Sequence, residues 1–340
     1  MGLPMRGADL ARKATATDVA LAAGVSKWTV NRAFKKDAPI AEESRLRVLA
    51  AADRLGYRPN LLARSLTTKS TQQVAVLVDD FANPHKLPVL HLLTAALQRE
   101  RLVAVLVNID EQNGPVDAIL DADQRQVDAV VLLGTSFRDE TLRQPALNAA
   151  RAPLYVLARE STLDAVKAVS CDAAASMEAV GLHLVARGYR RPGFMSGPRT
   201  LSTVLGRSRH FAAFWADRGI EAMLDIAVGT YDRRAAGEAM GRYLAATPAS
   251  DRVDVLVCEN DALAIGAMDA ARFGCGLDVP GDLAFVGYDG TDLAAAPAYD
   301  LTTYEQPMAA MVDRLVDMIV GRLDPTTVSL EGRLVVRGST

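Results

Sequence analysis

Residues 15–33 read TATDVALAAGVSKWTVNRA, and this stretch sets the architecture of the N-terminal part of the chain. Thr15 and Asp18 stand at capping-box spacing: the threonine oxygen can accept a first-turn N–H, and the carboxylate can reach back. Val19, Ala20 and Ala23 then recur at helical spacing. Gly24 is placed to end that helix in a left-handed conformation. Ser26 can cap a second helix over Lys27–Phe34, with Val30, Ala33 and Phe34 on its apolar side. Two helices joined by a turn of about three or four residues with a glycine form a helix-turn-helix pattern. A third helix is predicted from Glu42 to Leu55, closed by Gly56. Either Leu46, Leu49 and Ala52 or Val48, Ala52 and Leu55 form its inward face.

Charge separates this region from the rest. Residues 1–69 hold 13 Lys/Arg against 6 Asp/Glu, a net +7, whereas the other 271 hold 25 against 35, a net −10. The split points to a small module for a polyanion joined to a body with another task; a merely basic surface is the plainer alternative. The full length of 340 residues corresponds to two or three domains at roughly 100–200 residues each. Half the residues are hydrophobic, which is ample for a core, yet no apolar run nears the ~20 residues of a membrane span. Met1 to Lys13 is polar, so no secretory signal is expected. Cys171, Cys258 and Cys275 are scattered, which excludes a zinc ribbon or disulfide scaffold and fits a cytoplasmic protein.

Pro59 breaks the helical region. Asn60 can cap a short segment, Leu61–Leu66, too short for a stable isolated helix. A polar linker, 67–71, follows. From Val74 the texture changes. Apolar β-rich runs at 74–78, 103–109, 129–133, 154–157, 253–258 and 283–286 alternate with helical segments such as 88–99, 176–186 and 233–246. Such alternation predicts parallel sheets covered on both faces. The length predicts two lobes. Ligands in such sheets bind at the carboxyl ends of strands, which directs attention to Asp79–Asn83, Asn260–Asp261 and Asp289.

Enzyme signatures are missing. No lysine completes a Walker A loop, and no GxSxG or HExxH occurs. His85, His91, His183 and His210 form no metal-ligand spacing. Neither an enzyme nor a cofactor or metal site is expected.

Several ordered motifs carry a resemblance. Ala23-Gly24-Val25-Ser26-Lys27-Trp28-Thr29-Val30-Asn31-Arg32-Ala33 resembles the helix-turn-helix of the lactose-repressor/galactose-repressor family of bacterial transcription regulators. Leu55-Gly56-Tyr57-Arg58-Pro59-Asn60, then Ala63-Arg64-Ser65-Leu66, is similar to its link into a hinge helix. Val286-Gly287-Tyr288-Asp289, Leu301–Pro307 and Arg333–Thr340 resemble late body motifs and the terminal strand. The match runs from about Thr15 to the end.

The resemblance implies an all-α helix-turn-helix domain over 1–58, a hinge and linker over 59–71, and a two-lobed α/β body with parallel sheets over 72–340, like periplasmic binding proteins. Lys27, Trp28 and Arg32 then occupy base-reading positions, where Arg can bond guanine bidentately. Trp28 is unusual there and has two open roles: packing on the bundle, or apolar contact with a thymine methyl or sugar. Asn31 stands where the family commonly has Ser. Thr15, Ser26, Thr29 and Asn60 are capping or phosphate-contact candidates. Ala63 and Leu66 belong to the hinge, with Leu66 matching a minor-groove leucine. Ala41 replaces the usual Ser cap of the third helix, a loss of roughly 1 kcal/mol.

In the body, the resemblance implies ligand contacts from Arg207, Asn260 and Asp289, with Asp79, Asn83, His85 and Arg159 as further candidates. His85-Lys86 replaces common aromatics. Lys86, Arg159 and Arg207 together would favour an anionic ligand. The expected whole is a homodimeric cytoplasmic repressor of carbohydrate genes. It would bind near-palindromic operator DNA and respond to a sugar or sugar derivative. The alternative is a solute-binding protein of the same body fold without a regulatory role.

Overall fold

The computed structural model describes residues 13–35, 38–59, 70–81, 83–110, 112–135, 137, 139–198, 206–220 and 223–340. The predicted contacts at Asn60, Ala63 and Leu66, and the predicted hinge helix, lie outside the described residues. Contacts divide the chain into two units, 1–71 and 72–340.

The first unit contains α1 (Ala16–Ala23), α2 (Lys27–Ala33) and α3 (Glu42–Arg54). Asp18 N–H donates to Thr15 Oγ1 at 3.3 Å, and Thr15 N–H donates to Asp18 Oδ2 at 2.8 Å, completing the capping box. Gly24 adopts φ +65°. Small side chains let the helices close on a compact core: Val19, Ala20 and Ala23 of α1, Val30 and Ala33 of α2, and Val48, Ala51 and Ala52 of α3. Tyr57 joins them, edge-on to Phe34 at 5.8 Å between centroids. The expected inward face of α3 needs correction. Leu46, Leu49 and Leu55 are all exposed; Val48, Ala51 and Ala52 are buried, because only small residues fit where α3 crosses the other two helices. Ala41 provides no side-chain cap. Arg45 compensates at a different helix end: its guanidinium donates to Ala33 O (2.8 Å), Lys35 O (3.0 Å) and Ala38 O (3.0 Å), satisfying carbonyls at and beyond the end of α2.

The second unit holds two six-stranded sheets. Its first sheet is ordered β11-β5-β4-β3-β1-β2 and is parallel throughout. The strands are β1 (Gln73–Val78), β2 (Val103–Asn108), β3 (Ala129–Leu133), β4 (Leu154–Leu157), β5 (Val166–Cys171) and β11 (Val328–Leu330). Helices α4 (Lys86–Arg99), α5 (Pro115–Gln124), α6 (Asp139–Leu142) and α11 (Met308–Ile319) accompany this lobe. The second sheet is ordered β12-β10-β9-β8-β6-β7, with only β12 antiparallel. Its strands are β6 (Pro192–Ser196), β7 (Leu224–Ala227), β8 (Val255–Cys258), β9 (Ala284–Asp289), β10 (Thr302–Glu305) and β12 (Arg333–Val335). Helices α7 (Ala173–Arg187), α8 (Arg207–Ala216), α9 (Arg233–Ala246) and α10 (Asp261–Asp269) pack around it. The chain crosses between the sheets three times: after β5, after β10 and between β11 and β12.

β1, β3, β8 and β9 are buried along nearly their whole length, as strands covered on both faces must be. β5, β6 and β7 carry no pattern that marked them in advance. β6 begins Pro-Gly, and β7 is a four-residue edge strand.

Candidate functional site

Each unit presents a candidate site. In the first, α2 turns Val30 and Ala33 inward and leaves Lys27, Trp28 and Asn31 exposed. Thr29 N–H donates to Ser26 Oγ at 3.1 Å, so Ser26 is the N-cap, and the two hydroxyls lie 2.9 Å apart. Thr15, Ser26 and Thr29 are therefore engaged in caps at the helix N-termini, the ends that favour phosphate. Trp28 is 65% exposed, which removes the bundle-packing role. Its ring carries the Arg32 guanidinium at 4.2 Å from the centroid.

In the second unit a cavity of about 270 Å³ opens at the carboxyl ends of the strands. Asn83, Pro84 and His85 line it from the β1–α4 connection. Tyr231, Asp232, Arg233, Ala262, Ile265, Asp289, Thr291 and Leu293 line it from the other lobe. Asp289 ends β9 at φ +114°, a strained conformation for a side-chain-bearing residue. Gln306 Nε2 donates to its Oδ1 at 2.7 Å. Burial pushes the Asp289 carboxyl up to about 6, against the opposing pull of Arg207, Gln306 and Lys86. Facing it, His85 is driven down to about 4 by burial, with Lys86 adding to the effect, so the imidazole is neutral. His85 Nε2 and Gln306 Oε1 are both sealed from water without a hydrogen-bond partner.

A carboxylate behind the wall holds it in shape. Asp261 accepts from Thr303 Oγ1 (2.6 Å), Thr291 N–H (2.7 Å) and Thr291 Oγ1 (2.8 Å). Burial and the Asp289 charge nonetheless push it to about 7. Gly287 makes room for it: a Cβ there would stand 2.2 Å from Asp261 Oδ1.

The cavity gathers Asn83, His85 and Asp289 but not the other expected residues, each of which is committed within the protein. Asn260 Oδ1 accepts from Leu263 N–H at 2.9 Å, capping α10. Asp79 Oδ1 accepts from Lys86 Nζ at 3.3 Å, and Lys86 also donates to Leu133 O at 3.1 Å. Arg159 donates to Gly134 O and Phe137 O; burial lowers its pKa to about 10. Arg207 donates to Glu259 O at 2.7 Å and lies 3.6 Å from the Tyr288 ring centroid. Arg159 and Arg207 line only a separate recess of about 10 Å³, room for one water. Lys86 is paired with Asp79, and Arg159 and Arg207 are hydrogen-bonded to backbone carbonyls, so none of the three cations expected to favour an anionic ligand lines the main cavity. Among the described residues, Arg233 is the permanent cation on the main wall.

Sequence reasoning missed Tyr231, Asp232 and Arg233. The signal was present, because Asp232 caps the recognised helix α9 by accepting from Ala235 N–H at 2.8 Å. Tyr231 passes so close to Gly197 that a Cβ there would lie 2.3 Å from the ring. Gln306 lies within the Leu301–Pro307 motif, which by itself assigned it no role.

Comparison with known proteins connects the two units. Residues 15–60 match the family model described as bacterial regulatory proteins, lacI family, and residues 182–340 match that of a periplasmic binding protein-like domain. The chain therefore carries a lacI-family helix-turn-helix region followed by a periplasmic binding protein-like domain. The HTH-type transcriptional repressor PurR of Mannheimia succiniciproducens is 26% identical over 96% of this chain and 98% of its own length. The HTH-type transcriptional regulator MalR of Streptomyces coelicolor is 28% identical, covering 95% of both chains. The structure of the Lac repressor dimer bound to operator and the anti-inducer ONPF superposes with a TM-score of 0.82. It is 21% identical and covers 96% of this chain and 99% of that one. The transcriptional regulator CelR–cellobiose complex is 25% identical with a TM-score of 0.68, covering 96% and 100%. Over nearly its whole length the chain is thus similar to HTH-type transcriptional regulators, with a periplasmic binding protein-like domain behind the helix-turn-helix region.

Proposed function

We propose that this protein is a LacI-family transcriptional repressor that controls carbohydrate-uptake or catabolism genes, and that a sugar or sugar derivative held between the lobes sets its operator affinity. The observation that carries the reading is the cavity where His85 of one lobe faces Asp289 of the other. Asp289 offers an acceptor, Asn83 both donates and accepts, the Thr291 hydroxyl, whose proton goes to Asp261, can accept, and Tyr231 contributes an aromatic wall. That combination suits a polyhydroxylated ligand. The likeness to a cellobiose-bound regulator supports it. Asp79, Arg159, Arg207 and Asn260 brace the loops that carry these groups.

In this reading α2 enters the major groove, with Lys27, Trp28, Asn31 and Arg32 toward the bases and Thr15, Ser26, Thr29 and Asn60 toward phosphates. Residues 59–71 form the hinge, and Ala63 and Leu66 meet the minor groove. Two copies bind a near-palindrome in the cytoplasm. The dimer face takes in Leu87, Val103 and Leu106, which are 67%, 58% and 54% exposed; β2, which carries the latter two, is one edge of the first sheet. Effector binds the two lobe arrangements unequally, since equal affinity would shift nothing.

Fluorescence anisotropy tests this. Labelled DNA from around the gene is titrated with protein over excess competitor, then with a panel of sugars, sugar acids and sugar phosphates. Specific binding modulated by a neutral sugar is the expected result. Modulation by none of these compounds, or by acids alone, would overturn the effector reading.

A further inference from the structure

The exposed indole of Trp28 precedes Arg32 by one helical turn on α2, and the guanidinium carbon lies 4.2 Å from the ring centroid. A tryptophan 65% exposed adds nothing to the core of this small unit. The Arg32 guanidinium has no hydrogen bond or ion pair among the described residues, and its Nε is shut off from water without a partner. Among the described residues the side chain is therefore held by stacking alone, with its two terminal nitrogens unspent.

We infer that Trp28 and Arg32 form one reading unit for a thymine–guanine step, Arg32 bonding the guanine and Trp28 packing on the thymine methyl. The chemistry matches both bases. Guanine presents N7 and O6 to a guanidinium fork, and the C5-methyl of thymine is the apolar feature of the major groove. A stacked guanidinium has already lost the torsional freedom that a free arginine loses on binding, so the indole also positions Arg32. Lys27 and Asn31, exposed on the same helix, have no such stack and contact DNA independently. The inference rests on α2 being the reading helix.

The test uses full-length protein and a duplex selected by it from a randomised DNA pool. Each base pair is substituted in turn, and affinities are compared for wild type, Trp28→Ala, Trp28→Phe and Arg32→Ala. Replacing the thymine by deoxyuridine removes only the methyl and should weaken wild type roughly threefold to tenfold. Trp28→Ala should ignore that change and lose about tenfold in guanine preference at the adjacent position. Trp28→Phe should restore most of both, and it keeps the test open if the alanine variant unfolds. Equal responses of wild type and Trp28→Ala to deoxyuridine, or a uniform loss at every position, would overturn the inference. If Arg32→Ala loses guanine preference and Trp28→Ala does not, the pairing fails while the reading helix stands. If Arg32→Ala keeps every preference, the reading helix itself is wrong.

Discussion

His85 Nδ1 lies 3.9 Å from Asp289 Oδ2, joining the β1–α4 connection of one lobe to the end of β9 in the other. The separation is too long for a hydrogen bond. Both groups line the cavity, so one ligand can engage the two lobes at once. Asp289→Ala is accordingly expected to abolish the effector response while operator affinity stays within about twofold of wild type, read by anisotropy with and without ligand. A normal response in that variant would remove Asp289 from the site.

The raised carboxyl of Asp289 makes a second, pH-dependent expectation. Its folded value of about 6 lies above the ordinary 3.8, so the folded state holds a proton that the unfolded chain releases. Its stabilising contribution is complete below the ordinary value and is lost as pH rises through about 6. A tenfold difference in proton affinity between the folded and unfolded chain is worth about 1.4 kcal/mol. Asp289→Asn should therefore gain stability relative to wild type between pH 4 and pH 7. Denaturant melts at both pH values check this; a constant difference between the two proteins would contradict it.

Helices α9 and α10 touch through glycine. A Cβ on Gly266 would stand 2.0 Å from the backbone oxygen of Arg233, a residue that lines the cavity. Gly266→Ala should destabilise the body by about 1–3 kcal/mol or more, and weaken ligand binding because Arg233 must move. Gly241 in the same α9 faces open space, so Gly241→Ala should stabilise by about 0.5–1 kcal/mol. Thermal unfolding of the pair separates the two effects, and similar shifts would refute the close packing.

Arg45 closes the end of α2 through three carbonyls. Its replacement by alanine should cost about 1–3 kcal/mol locally. Hydrogen exchange across α2 and α3 of the full chain should accelerate by roughly tenfold or more, with the body unchanged. Unaltered exchange in α2 would show the three bonds to be dispensable.

Leu106 tests the proposed dimer face. Leu106→Glu places a charge on an exposed edge strand, so the monomer should fold and bind ligand while sedimentation shifts from dimer to monomer. An unchanged dimer would place the interface elsewhere.

Local signals were enough for the helices of the first unit, because caps and short-range spacing involve residues within a turn of one another. Thr15, Asp18, Gly24 and Ser26 act as their neighbours dictate. The uninterrupted apolar strands β1, β3 and β4 were legible for a similar reason: burial on both faces leaves its mark on every residue. β6, β7 and β12 were not read from periodicity, since their pairing is supplied by distant strands. The site divides along the same line. A motif could nominate Asp289, Arg207 and Asn260, but composition cannot say which side chains face a void. Three-dimensional packing turns Arg207 onto Tyr288, ties Lys86 to Asp79 and spends Asn260 on a helix cap, which takes all three away from the main cavity. It also brings Tyr231, from far along the chain, to the cavity that His85 lines. Hydrogen bonds and charge pairing between remote segments determine which polar groups remain available to a ligand, and those partners have no fixed spacing in the sequence.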